Sequence, residues 1–273
     1  MTLWLVFVSV AFATAVESGT INSTDQSTSA QVTVKQTEQQ ESIVEQLAED
    51  VMATGDLNPS HYPAQRAAKV VQHHLNTRFG SPYKVFGLRT VNSGYAEDVE
   101  NSGRRYKLEL TVQEFLSNSS VKCSAEVFFP TEKGQGAPQV DVTGEDFQKI
   151  NASEEEEALY QKYKANTELL SADHLPDSHG HMEPEMKPFW HLGSVASSFV
   201  MLQESTEETL YNMAQVANVT QLETEKEQLQ FDYHVLLHDM VSQEIIHWKL
   251  LVTWSPAEGV KVPQMTKLPH RHQ

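Results

Sequence analysis

The chain has 273 residues, 37 acidic against 20 basic side chains for a formal charge of −17, and one cysteine. Domains mostly run to about 100–200 residues, so this length allows two. The acidity argues against nucleic acid as a partner, and a lone Cys123 excludes an internal disulfide framework.

The N-terminus, MTLWLVFVSVAFATAVES, has no charged side chain before Glu17, an apolar run from Leu3 to Ala13 and the small-residue pattern Ala13-Thr14-Ala15. It reads as a secretory signal peptide over residues 1–15. The run is too short to span a bilayer, which takes about 20 residues, so no membrane span is expected. Residues 16–57 are rich in Ser, Thr, Gln and Glu and read as a disordered polar arm, with a short amphipathic helix possible over ESIVEQLAEDVMA, 41–53. Four sequons, at Asn22, Asn118, Asn151 and Asn218, fit an exported glycoprotein.

After Pro59 the pattern becomes that of a folded domain. PAQRAAKVVQHHLNTRFGS, 63–81, predicts a helix opened by Pro63, closed at Gly80, with Ala67, Val70, Val71, His74 and Leu75 on the buried face. Four strand-like runs follow: YKVFGLRTV, RRYKLELTVQEFL, VKCSAEVFFP and PQVDVTGEDF. Alternation is plainest where Tyr106, Leu108, Leu110 and Val112 are interleaved with polar residues. Cys123 falls inside the third run, as a buried and inert thiol.

Residues 151–187 form a connecting segment. Glu154 to Leu170 has helix propensity and a Leu159, Tyr160, Tyr163 stripe, and the remainder reads as a loop. The acidic run Glu154 to Glu157 suits the start of that helix through its macrodipole. A second helix, KPFWHLGSVASSFVMLQES, then precedes TLYNMAQVANVTQL, QLQFDYHVLLHDM, QEIIHWKLLVTWSP and GVKVPQM. The same order recurs after roughly 125 residues, which argues for duplicated modules, 58–150 and 188–263, followed by a tail over 264–273. The expected class is α+β, each module a helix on a four-stranded antiparallel sheet.

Catalytic signals are sparse. His179-Gly180-His181 with Glu183 and Glu185 is the best metal candidate, but it has no Cys partner and no helical HExxH accompanies it, so it reads as a solvated loop. His73 and His74 sit side by side on the helix, which places one ring on the apolar face and one outward, an arrangement that packing explains. With no phosphate loop and no nucleophile elbow, the expectation is a non-enzyme with no metal and no cofactor.

Several stretches together resemble the latexin family: HYPAQRAAKVVQHHLN, CSAEVFFP, HLPDSHGHMEPEM, DYHVLLHDMVSQEIIHW and LVTWSP, in that order across residues 58–263. The resemblance implies two tandem cystatin-like modules joined by a helical connecting segment. It also implies a protein partner, an A-type zinc metallocarboxypeptidase whose active-site funnel is blocked by a hairpin. The family motif LLHxxxSQEII puts His238, Gln243 and Glu244 at the contact positions. His247 departs from the family's usual proline before the tryptophan. The signal and sequons resemble the family's secreted branch, which includes eggshell matrix proteins, so mineral or matrix components are an alternative partner class.

Overall fold

The computed structural model describes residues 54–269 except 101, 132–135, 145, 146, 148, 149, 167 and 226. The signal-like segment, the candidate helix at 41–53, Asn22 and the C-terminal His270 and His272 lie outside the described residues.

Two five-stranded antiparallel sheets form, each with its own helix. The first contains β1 (Gly55–Leu57), β2 (Phe86–Val99), β3 (Gly103–Glu114), β4 (Ser120–Pro130) and β5 (Gln139–Thr143) in sequential order, with helix α1 (Tyr62–Phe79) between β1 and β2. Helix α2 (Ser153–Ala165) follows. The second contains β6 (Ser171–Leu175), β7 (Tyr211–Glu225), β8 (Gln228–Asp239), β9 (Glu244–Ser255) and β10 (Gly259–Lys267), with helix α3 (Lys187–Glu204) between β6 and β7.

The internal repeat is visible residue by residue. Helix α3 starts 125 positions after α1 (62 to 187) and is also 18 residues long; β8 starts 125 after β3 (103 to 228), and both have 12 residues. Even the irregularities recur at that interval. β2 slips register between Leu88 and Thr90 and again between Val91 and Ser93, and β7 does so between Met213 and Gln215 and between Val216 and Asn218.

β3 and β8, the middle strands of the two sheets, alternate strictly. Every second side chain of β8, from Leu229 through Phe231, Tyr233, Val235 and Leu237 to Asp239, is buried, with His234 and His238 on the other face. The first core gathers Val71, Leu75, Phe86, Leu110 and Val127; the second gathers Leu192, Phe231, Tyr233, Leu250 and Trp254. Cys123 belongs to the first, its thiol pushed up to about 11 by burial and then by the Glu109 charge, which removes its nucleophilic form at neutral pH.

The two helices lie against each other, antiparallel. Arg66, early in α1, donates to the Glu207 carbonyl beyond the end of α3 (2.8 Å), while His191, near the start of α3, lies 3.0 Å from the Pro82 carbonyl beyond the end of α1. Gly80 ends α1 in ordinary extended geometry. Its missing side chain matters because a Cβ there would stand 2.4 Å from the Asn76 carbonyl and 2.7 Å from Val195 of α3.

Three expectations change. Each sheet has five strands rather than four. β1, inside the segment read as a disordered arm, pairs with β2, and β6, inside the segment read as a loop, pairs with β7. Three- and five-residue strands are too short to show a period, and they gain their hydrogen bonds from a neighbour already in place. Helix α2 stops at Ala165, short of Leu170. His73, not His74, is the fully buried histidine, 1% exposed, because α1 is covered both by its sheet and by the second helix and so buries a wider arc than one stripe. Glu154, Glu155 and Glu156 do stand in the first turn of α2, and Glu156 is in addition buried, accepts from Ser81 Oγ at 2.5 Å and lies 3.7 Å from Lys84 Nζ. It ties the connecting helix to the first half, while Tyr160 and Tyr163 pack edge-on against Trp254 and Phe189 of the second.

Candidate functional site

The β8–β9 hairpin ends in a four-residue loop, 240–243, between Asp239 and Glu244, which face each other across the strands. Asp239 falls on the inward parity of β8 and is 5% exposed. A buried carboxylate needs donors, and the loop supplies them. Asp239 Oδ1 accepts from the Leu210 N–H (3.0 Å) and the Val241 N–H (3.1 Å), and Oδ2 accepts from Ser242 Oγ (2.8 Å). Burial alone would raise its pKa; these hydrogen bonds outweigh it and hold the carboxyl below the ordinary range.

The rest of the loop is equally tied. Met240 N–H donates to the Leu210 carbonyl (2.9 Å) and Gln243 N–H to the Asp239 carbonyl (2.8 Å), while the Gln243 side chain reaches back to the Met240 carbonyl (2.6 Å). Gln243 takes a left-handed φ of 61°, which the reversal requires and which these bonds stabilise. What projects is Met240, Val241, Gln243, Glu244 and Ile245, all exposed. The tip is also acidic on one side: burial, followed by the Asp239, Glu204 and Glu244 charges, pushes the Tyr211 phenol up to about 12.

The three residues singled out from the motif therefore sit at one hairpin end, though not on one face. Gln243 is at the loop apex and Glu244 opens β9. His238, half-buried on the outward face of β8, pairs with Ile245 and Asn212 on its flanking strands. Next to it on that face His247 pairs with Leu236, and its Nδ1 lies 3.0 Å from His234 Nε2. β9 is therefore continuous from Glu244 to Ser255 through the position of the family's proline. Sequence reading missed Asp239 and the apolar Met240, Val241 and Ile245. An Asp two residues before a loop Val and three before a Ser is a turn signal, but its main partner, Leu210, is 29 positions away.

Other candidates resolve into structure. Asp177 Oδ1 accepts the His179 and His181 N–H groups, each at 2.8 Å, so the His-Gly-His loop is a turn closed on an aspartate. Among the described residues no group of three or more His, Cys, Asp or Glu side chains is placed to hold a metal, and no helix is long and apolar enough to cross a membrane. An open cleft of about 470 Å³ on the outer face of the first sheet is bordered by Tyr95, Lys107, Glu109 and Glu126; Lys107 there reaches Glu97 at 3.1 Å and Glu126 is reached by Arg105 at 2.9 Å.

Comparison with known proteins is consistent across the folded part of the chain. Mouse latexin is 39% identical over 220 residues, covering 80% of this chain and 99% of its own. Human retinoic acid receptor responder protein 1 is 34% identical over 72% of this chain and 70% of its own, and chicken ovocalyxin-32 is 26% identical over 76% and 74%. Among solved structures, mouse fetuin-B aligns over 80% of this chain and 72% of its own at 12% identity, with a TM-score of 0.25, too low to bear on the fold. The Latexin family profile matches residues 57–272, from the first sheet through the last strand of the second, and with these relatives it shows that the chain belongs to the latexin family.

Proposed function

We propose that the chain is a secreted, non-enzymatic inhibitor of A-type zinc metallocarboxypeptidases that docks through the 238–244 hairpin and blocks the active-site funnel. Its scaffold in this reading is two tandem cystatin-like modules, 58–150 and 188–263, joined by the segment 151–187. The observation that carries the reading is the tip itself. Asp239 anchors a loop that presents Met240, Val241, Gln243 and Glu244 in one conformation, so little entropy is lost on docking. Glu244 is the natural partner for the cationic groups with which a carboxypeptidase holds a substrate's terminal carboxylate. The Met240 and Val241 side chains supply apolar area at the rim of such a funnel, and His238 and Ile245 flank it.

Inhibition of a purified A-type carboxypeptidase by the secreted protein tests this. The expected result is inhibition at submicromolar concentration, lost in a Gln243→Ala, Glu244→Ala double variant that keeps its fold. No inhibition at micromolar concentration by folded protein overturns it.

A second reading, a structural protein of an extracellular mineral matrix such as eggshell, is favoured by two observations: the −17 charge and the similarity to ovocalyxin-32. Saturable adsorption to calcium carbonate by a protein that does not inhibit carboxypeptidase would select it.

A further inference from the structure

The β3–β4 hairpin is a second copy of the β8–β9 tip, built at the other end of the molecule. Phe115 N–H donates to the Val85 carbonyl (3.0 Å), as Met240 N–H does to Leu210. Glu114 closes β3 as Asp239 closes β8, and the loop that follows takes a left-handed turn at Asn118, φ 56°, matching Gln243 at 61°. A shift of 125 positions carries Phe115 onto Met240, Leu116 onto Val241, Ser117 onto Ser242 and Asn118 onto Gln243. Because α1 and α3 run antiparallel, the two tips point to opposite ends of the helix pair.

The chemistry at the two apices differs. Gln243 spends its amide nitrogen on the Met240 carbonyl. Asn118 instead accepts, through Oδ1, from Gln113 Nε2, and its own Nδ2 has no partner among the described residues. It is exposed, and Asn118-Ser119-Ser120 is a sequon. Beside it Phe115, at 58%, is the most exposed of the large apolar side chains described, with Leu116 next to it in sequence. The far end of the Phe115 ring reaches Gly87, where a Cβ would meet Cζ at 2.1 Å, and the rest of the side chain is largely exposed.

We propose that Asn118 carries an N-linked glycan that covers the Phe115–Leu116 tip, so that of two like-built tips only the one at 240–244 is bare. In the transfer, the Asn118 amide nitrogen forms a bond to the anomeric carbon of a lipid-pyrophosphate-linked oligosaccharide; the carbon–oxygen bond to the pyrophosphate breaks, the nitrogen loses one proton and the lipid pyrophosphate leaves. A sugar ring laid on the exposed Phe115 side chain shields it as an apolar neighbour would. The same geometry excludes Asn218. That residue sits mid-strand in β7, half-buried and opposite Asp173 of β6, with Nδ2 donating to Asp173 Oδ1 at 2.8 Å, so a glycan there would displace β6. Asn151 is an internal control: it is exposed, and its Oδ1 accepts from Ser153, the first residue of α2, leaving Nδ2 free of described partners.

The inference rests on the secretory part of the proposed function and not on inhibition. The full chain is expressed in cultured animal cells, collected from the medium, and treated with peptide N-glycosidase in ¹⁸O-water, which converts each glycosylated Asn to labelled Asp. Peptide mass spectrometry is expected to find label at Asn118 and Asn151 in most chains and none at Asn218. The Asn118→Gln variant, which places in the first tip the residue already tolerated in the second, should be secreted and lose one glycan's mass. Label at Asn151 with Asn118 bare overturns the proposal. So does a bare Asn118 when a foreign secretory leader is fused, an arm that separates it from failure of the chain's own signal. Substantial label at Asn218 in folded protein overturns the structural selection.

Discussion

Glu114 and Asp239 hold equivalent posts at opposite ends of the molecule. Each is the last, buried residue of a central strand, and each accepts two N–H groups on one oxygen. For Glu114 these are Val85 (3.0 Å) and Leu116 (3.1 Å); for Asp239 they are Leu210 (3.0 Å) and Val241 (3.1 Å). In both cases one bond closes the loop on itself and the other ties it to the segment just before the first long strand of the same sheet.

Removing either anchor strands buried N–H groups, at a cost of about 1–3 kcal/mol. Asp239→Ala and Glu114→Ala are therefore expected to lower the urea midpoint by similar amounts. Their functional effects should diverge: Asp239→Ala weakens carboxypeptidase inhibition at least tenfold, whereas Glu114→Ala leaves it within a factor of about three. Equal loss of inhibition in both would show that the first tip also docks.

The pH dependence should have two windows. Burial, aided by Lys69, lowers the His73 pKa to about 3; contact with the Tyr211 backbone opposes this, though neither ring nitrogen finds a partner in full hydrogen-bond geometry. The unfolded chain takes up that proton below about pH 6.5 while the folded chain does not, so stability falls as pH drops from there. Glu114 and Asp239 lie below the ordinary carboxylate range. Burial alone would raise both, and hydrogen bonds from the Ser117, Val85 and Leu116 groups and from Leu210, Val241 and Ser242 reverse it. Their contribution is complete above about pH 4 and is lost as pH falls through their folded values. Denaturant midpoints across pH should flatten in the upper window for His73→Leu and in the lower for Asp239→Asn.

Glu207 joins the two halves. Its Oε1 accepts from Tyr106 Oη at 2.6 Å and lies 3.7 Å from the buried Arg104, whose other carboxylate, Asp98, is 3.8 Å away and largely exposed. Glu207→Ala is expected to destabilise by about 1–3 kcal/mol, read by chemical denaturation, because it leaves the buried Tyr106 phenol without its acceptor and removes one carboxylate from beside the buried Arg104.

Gly193 reports on how closely α3 sits on its sheet. A Cβ there would lie 2.7 Å from Val216 Cγ2 and 3.1 Å from the Tyr233 ring. Gly193→Ala should therefore cost about 1–3 kcal/mol through overpacking, despite alanine's better helix propensity, with a lowered melting temperature as the measure.

Much of this was legible from residues alone, and for definite reasons. The first helix announced itself through Pro63 and its apolar spacing, and β3, β4 and β8 through alternation, because each buries one face over roughly a dozen residues. The repeat followed from the matching order of those elements. The location of the tip was legible too, since a polar break between two long alternating runs leaves few other readings.

What local pattern could not specify is whatever depends on a distant partner. β1 and β6 are strands only because β2 and β7 offer edges. His73 is buried because a second helix covers α1, Glu156 because Ser81 lies 75 positions away, and Asp239 because Leu210 turns its N–H toward it. The sequence by itself determined the periods, and through them the elements and their order, since burial of one face is a local property of side-chain spacing. Only the tertiary structure decided which polar groups are buried and how firmly each hairpin tip is held, because those depend on hydrogen bonds and packing between segments far apart in the chain.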